Sequence, residues 1–151
     1  MKKNSYNHIG DDMRVFYIFN INEYFAETYA NKSYKLYCML KDIYLEKEHN
    51  SKLVDNYFKQ ISNQFDIDYI DDYLYNILSN DDNYSKKENN HIICDNFECS
   101  KLILSTNCIK LKTNQQFPDI LKLLANINKY IFVCDFHNNK YFWLNNNIVL
   151  T

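Results

Sequence analysis

His91, Cys94 and Cys99, in the stretch HIICDNFEC, are the residues of this chain whose types and spacing come nearest to chemistry. Together they resemble half of a zinc site. A closed zinc site needs four ligands, usually in two tight pairs, and a C-x₄-C with one nearby His is a weak form of that pattern. Cys108 could complete the set only if the fold carried it there. A cysteine nucleophile is the other chemistry to weigh, with His8, His49, His91 and His137 as possible bases. None of the four sits in a recognisable signature around a cysteine. The expectation is therefore no metal, no cofactor and no catalytic residue, with the protein not an enzyme.

Phosphate chemistry fares no better. Gly10 is the only glycine, so neither GxGxxG nor GxxxxGK[ST] can be written with this chain. Turns needing positive φ must fall to Asn and Asp, the next most tolerant residues. The net charge is −2, from 17 basic and 19 acidic residues, which gives no basic field for DNA or RNA. No apolar run approaches the roughly 20 residues of a membrane span. The opening MKKNSYNHIGDD lacks the apolar stretch of a secretion signal. A cytoplasmic protein is expected, with its five cysteines reduced and mostly buried.

These residues must be positioned by one domain of ordinary globular composition. The expected organisation is a flexible N-terminal tail over 1–13 and a single domain over 14–151, with Met13 a candidate start. RVFYIF (14–19) reads as a buried strand. Asn22 can cap a helix beginning NEYFAETY, and Ser33 can cap a second helix with Leu36, Met39, Leu40 and Ile43 in one stripe. Ser51 can cap a third, with Leu53, Val54, Tyr57, Phe58, Ile61 and Phe65 on one side. Ile67, Ile70, Tyr73, Leu74, Ile77 and Leu78 mark a fourth. SNDDNYSKKENN (79–90) is the most polar stretch and reads as a loop.

Beyond it, HIIC reads as a strand, and LILST with IKLKT as an antiparallel hairpin around Asn107. FPDILKLLANI starts a helix near Pro118. KYIFVCDF and YFWLN form a second hairpin across HNNK, its turn nucleated by Asp135 and Asn138. Alternation puts Ile131, Val133 and Asp135 on one face, and Phe132, Cys134 and Phe136 on the other. Trp143 and Phe136 are read as structural, and this hairpin as the centre of the fold. The expected class is α+β: a small single domain whose antiparallel sheet of two hairpins plus an N-terminal strand packs against about five helices.

The aromatic content is the main departure from an average chain, with 14 Tyr and 10 Phe. YFAETYANKSYKLY (24–37) concentrates it. Phe25 and Tyr29 are four apart and share a helical face, with Tyr24 on a neighbouring one. A helix this short does not need all its apolar residues inward, so some ring should be exposed. Exposed rings on a rigid helix are favoured protein-binding anchors. The alternative is that Phe25 and Tyr29 fill the core while Tyr24 lies at its edge, the usual fate of aromatics at helical spacing. Spacing leaves both readings open.

The closing segment FVCDFHNNKYFWLN (132–145) resembles the C-terminal signature of the family of the sporulation inhibitor of replication protein SirA. FYIFNINEYFAETY resembles that family's aromatic strand, followed by a helix carrying Phe-Ala-x-x-Tyr. The resemblance covers roughly 14–45 and 100–145, is loose over 50–95, and does not include the residues before Met13. It implies a small cytoplasmic protein of sporulation that inhibits initiation of chromosome replication by binding the N-terminal domain I of DnaA. It also implies that Phe25 and Tyr29 face that partner, with Tyr24 beside them. A polar contact from a later helix would fall near Tyr57 to Gln60. No direct nucleic-acid contact is implied, and the free protein should be a monomer. Two other classes compete: a small Cys/His/Asp hydrolase, for which nothing is suitably spaced, and a cytoplasmic adaptor of the same fold that binds another protein, of phage type or a host regulator.

Overall fold

A computed structural model describes residues 13–46 and 51–145. The tail expected over 1–13 therefore lies, apart from Met13, outside the described residues, as do His8, His49 and the last six positions. The strands are β1 (Arg14–Ile21), β2 (Ser62–Asn63), β3 (Tyr84–Lys87), β4 (Asn90–Cys94), β5 (Cys99–Ile103), β6 (Ile109–Thr113), β7 (Ile131–Asp135) and β8 (Lys140–Trp143). The helices are α1 (Glu23–Thr28), α2 (Ser33–Glu46), α3 (Ser51–Ile61), α4 (Ile67–Leu78) and α5 (Asp119–Leu123). A 3₁₀ turn over Leu124–Asn126 extends α5.

All strands join one antiparallel sheet in the order β3-β4-β5-β6-β1-β7-β8, and β2 pairs the end of β1 at Asn20↔Asn63 and Ile21↔Ser62. The α+β class is as expected. What organises it is β1, whose near-continuous apolar run is buried on both faces. Phe16 and Ile18 enter one core with Ile70 and Leu74 of α4, Leu111 of β6, Ile120 of α5 and Val133 of β7. Phe19 and Ile21 enter a second core with Ala26 of α1, Leu36 and Leu40 of α2, Ile61 of α3 and Phe132 of β7. Helices thus cover both faces of the sheet.

Several expectations are corrected by this arrangement. The polar stretch 79–90 is not simply a loop. Tyr84–Lys87 pairs with β4, because β4 would otherwise present an open edge, and Glu88 makes the turn at φ 55. The C-terminal hairpin is not the centre: β7 is buried along its whole length beside β1, but β8 is the edge strand. Its predicted facing does hold, with Ile131 and Val133 in the first core and Phe132, Cys134 and Phe136 in the second. Asp135 Oδ1 accepts the Asn138 N–H at 3.2 Å, and Asp135 Oδ2 accepts from the Asn138 amide at 2.7 Å.

The α3 stripe is also rearranged. Ile61 is buried, whereas Leu53 is 77% exposed and Tyr57 39% exposed. Phe65 is core but lies past the helix end. Ile77 of α4 faces solvent. Ser33 is the first residue of α2, and its Oγ accepts the Trp143 Nε1–H at 3.1 Å. Of the five cysteines only Cys99 and Cys134 are buried, while Cys38, Cys94 and Cys108 are half-buried.

Candidate partner-binding face

The aromatic segment is placed by what precedes it. Ile21 ends β1 in the second core, and the Asn22 N–H donates to Ile61 O at 2.7 Å, fastening the chain to the end of α3. Asn22 Oδ1 then accepts the Tyr24 N–H at 2.8 Å and caps α1, with Glu23 in the first turn, where the helix dipole favours an acid. Ala26 is the buried residue of α1, and its small side chain lets the helix lie close against the sheet. The remaining side chains are spread around the rim of that contact.

Helix α1 has six residues, shorter than the aromatic spacing suggests, and Tyr29 is its C-cap with φ −107. The four-residue relation survives because the Tyr29 N–H donates to Phe25 O at 2.9 Å. The two rings stack, with centroids 5.8 Å apart and planes 14° apart. Tyr24, 70% exposed, meets the Phe25 ring edge-on at 5.8 Å. Phe25 and Tyr29 are both half-buried and pack against the second core. Neither sequence reading is thus complete, because one side of the pair is core and the other is surface.

Tyr57 adjoins this face from α3. Its phenol is pushed above its ordinary value by burial first, then by the Asp42 carboxylate and by Tyr29. Tyr24, Phe25 and Tyr29 are brought together by α1, and α3, which carries Tyr57, is fastened to the start of α1 through Ile61. Sequence reasoning missed the apolar cleft of about 240 Å³ between α2 and α3, lined by Leu40, Ile43, Val54 and Phe58.

Of the chemical candidates, Cys94 and Cys99 face each other across the β4–β5 turn, but His91 does not join them. His91 and Cys94 are three apart on β4 and so point to opposite faces of the sheet. His91 is fully buried, with Nε2 2.8 Å from Asp71 Oδ1 and Nδ1 2.7 Å from the Tyr84 hydroxyl. A carboxylate only accepts, so Nε2 carries the proton and Nδ1 accepts from Tyr84. Burial and the Asp71 charge push the Tyr84 phenol up to about 12, which keeps its proton in place. His137 is exposed on the β7–β8 turn. Among the described residues no group of three His, Cys, Asp or Glu is placed to hold a metal ion.

A paired-ring surface on a short capped helix, with no converging reactive groups, is suited to binding a protein. A family model described as sporulation inhibitor of replication protein SirA matches residues 14–147. The chain belongs to this family. The SirA match begins at β1 and runs past β8, so it also takes in 50–95, where the sequence resemblance was loose. No curated protein matches the chain. The SirA family is named for inhibition of replication in sporulation, a regulatory role. Among the described residues no helix is long and apolar enough to cross a membrane.

Proposed function

We propose that this protein inhibits initiation of chromosome replication by docking Tyr24, Phe25, Tyr29 and Tyr57 on the N-terminal domain I of DnaA. It acts in the cytoplasm during sporulation, as a monomer until it binds, and needs neither a cofactor nor contact with DNA. Membership of the SirA family supports the class of function. The observation that carries the surface is the Phe25–Tyr29 stack, seated on the core yet half-exposed. Rings held this way lose little side-chain entropy on docking and still have apolar area to bury.

Calorimetric titration with purified domain I of DnaA tests this reading. Wild type should bind, and Phe25→Ala and Tyr29→Ala should each weaken binding by on the order of 2 kcal/mol or more. Because both rings also touch the core, each truncation should lower stability by about 1 kcal/mol, not leave it unchanged. Circular dichroism should show both variants folded at the titration temperature. Folded variants that bind as tightly as wild type would move the recognition surface elsewhere, and a wild type that does not bind would remove DnaA as the partner.

A further inference from the structure

The turn between β4 and β5 carries a cysteine pair that the aromatic face does not use. Cys94 ends β4, Cys99 begins β5, and the register sets them directly opposite one another. The Asp95 N–H donates to Glu98 O at 2.8 Å, which makes 94 and 99 the next, non-hydrogen-bonded pair of the ladder. In such pairs the Cα atoms are about 4.5 Å apart and the side chains lean together. That separation is one a disulfide can span. Both residues are free thiols, and their sulfurs lie 2.6 Å apart.

The frame around the pair is already pinned. Asp95 Oδ1 accepts the N–H groups of Phe97 and Glu98, each at 2.7 Å. Asn114 Oδ1 accepts the Cys99 N–H at 3.0 Å, while the Asn114 and Gln115 side-chain amides donate to Phe97 O. Joining the sulfurs therefore requires no change of register.

We propose that Cys94 and Cys99 form a dithiol site that a low-molecular-weight disulfide oxidises to an intramolecular cross-strand disulfide. Cys94 is the more exposed of the two and reacts first. It releases its proton to solvent, and its thiolate attacks one sulfur of the small disulfide. That S–S bond breaks, one small thiolate leaves and is protonated, and a mixed disulfide remains on Cys94. Cys99 then releases its proton and attacks the Cys94 sulfur. The second small thiolate leaves, and the Cys94–Cys99 bond is made. Two protein thiols lose two electrons, and one small disulfide becomes two thiols.

The local chemistry agrees with that order. Burial, then the bond to Cys94 and the charges of Cys94, Glu98 and Asp95, push the Cys99 thiol up to about 12. Cys99 is thus the poorer source of thiolate and enters only as the second, resolving thiol. The site is also remote from the aromatic face. Register runs from Ser100 to Thr113 and on to Arg14, the start of β1, whereas α1 follows the other end of that strand. Eight strand residues separate the two ends, about 25 Å. Oxidation should leave the aromatic face undisturbed.

The test equilibrates the full chain with mixtures of reduced and oxidised glutathione, quenches with acid, alkylates the remaining thiols and maps the peptides by mass spectrometry. Wild type should lose two of its five thiols and two hydrogens of mass, with Cys94 linked to Cys99. Cys99→Ser should stop at a glutathione adduct on Cys94, and Cys94→Ser should leave position 99 unmodified. The wild-type map is decisive even if a variant misfolds. Both thiols remaining reduced in oxidised glutathione alone, or a bond formed instead between Cys108 and Cys134, would overturn the proposal.

Discussion

At the residue scale, His91 shows how a candidate for chemistry becomes a structural element. Its ring is enclosed between α4 and the sheet, facing Asp71 of α4, Tyr84 and Lys86 of β3. Burial pushes the imidazole below its ordinary value, Asp71 pulls it back, and Lys86 lowers it further, with a net downward result. The unfolded chain therefore binds a proton at a pH where the native one does not. Stability should be intact above the ordinary histidine range and fall as pH drops through about 6.5 toward the depressed native value. Melting curves between pH 7.5 and 5 should show the decline, and His91→Gln should flatten it. A His91→Gln variant that keeps the full slope would assign the pH dependence to other groups. Nothing in the HIIC spelling indicated these partners, because Asp71 is 20 residues away and meets His91 only through the packing of α4.

At the element scale, the second hairpin acts as a clamp on α2. From β8, Trp143 donates to Ser33 at the start of that helix and meets Phe132 edge-on at 4.8 Å. From the turn, Asn139 Oδ1 accepts from the Tyr37 hydroxyl at 3.0 Å and from Lys41 Nζ at 2.7 Å. Asn139 sits at φ 54, which Asn tolerates better than most residues. Trp143→Ala should lower stability by about 3 kcal/mol, the low end for truncating a Trp, because its ring is half-exposed. Denaturant unfolding checks this, and an unchanged midpoint would show that the clamp is dispensable. The structural role of Trp143 was legible from its place in an alternating strand. Its bond to Ser33 was not, since Ser33 reads locally as a helix cap.

For the whole molecule, two cores share one strand. Ile18 faces the first and Phe19 the second, so neither core can open without disturbing β1. Ile18→Ala and Leu40→Ala, one from each core, should each cost about 2–5 kcal/mol. Both should move the same single unfolding transition, seen alike by tryptophan fluorescence and far-UV circular dichroism. Two separated transitions in either variant would mean that the layers fold independently. Phe25 and Tyr29 ride on the second core, so Leu40→Ala should also weaken partner binding where it populates the unfolded state.

The sequence by itself determined the elements whose apolar period is long and unbroken: β1, the stripe of α2, the inward face of α4, and the alternation of β7. In each, the local pattern and the final burial have the same physical cause, a single face or strand removed from water. It also brought Tyr24, Phe25 and Tyr29 into one short segment. Only the tertiary structure decided the rest. Tyr84–Lys87 looks polar because β3 is an outermost strand exposed to water, yet it pairs because β4 needs a partner. Whether Phe25 and Tyr29 are core or surface depended on how far Ala26 lets α1 sink onto the sheet, and the outcome is half of each. Tyr57, 28 positions beyond Tyr29, is brought toward α1 by α3, whose last residue, Ile61, accepts the Asn22 N–H. Such meetings arise from packing between distant elements, which no local spacing encodes.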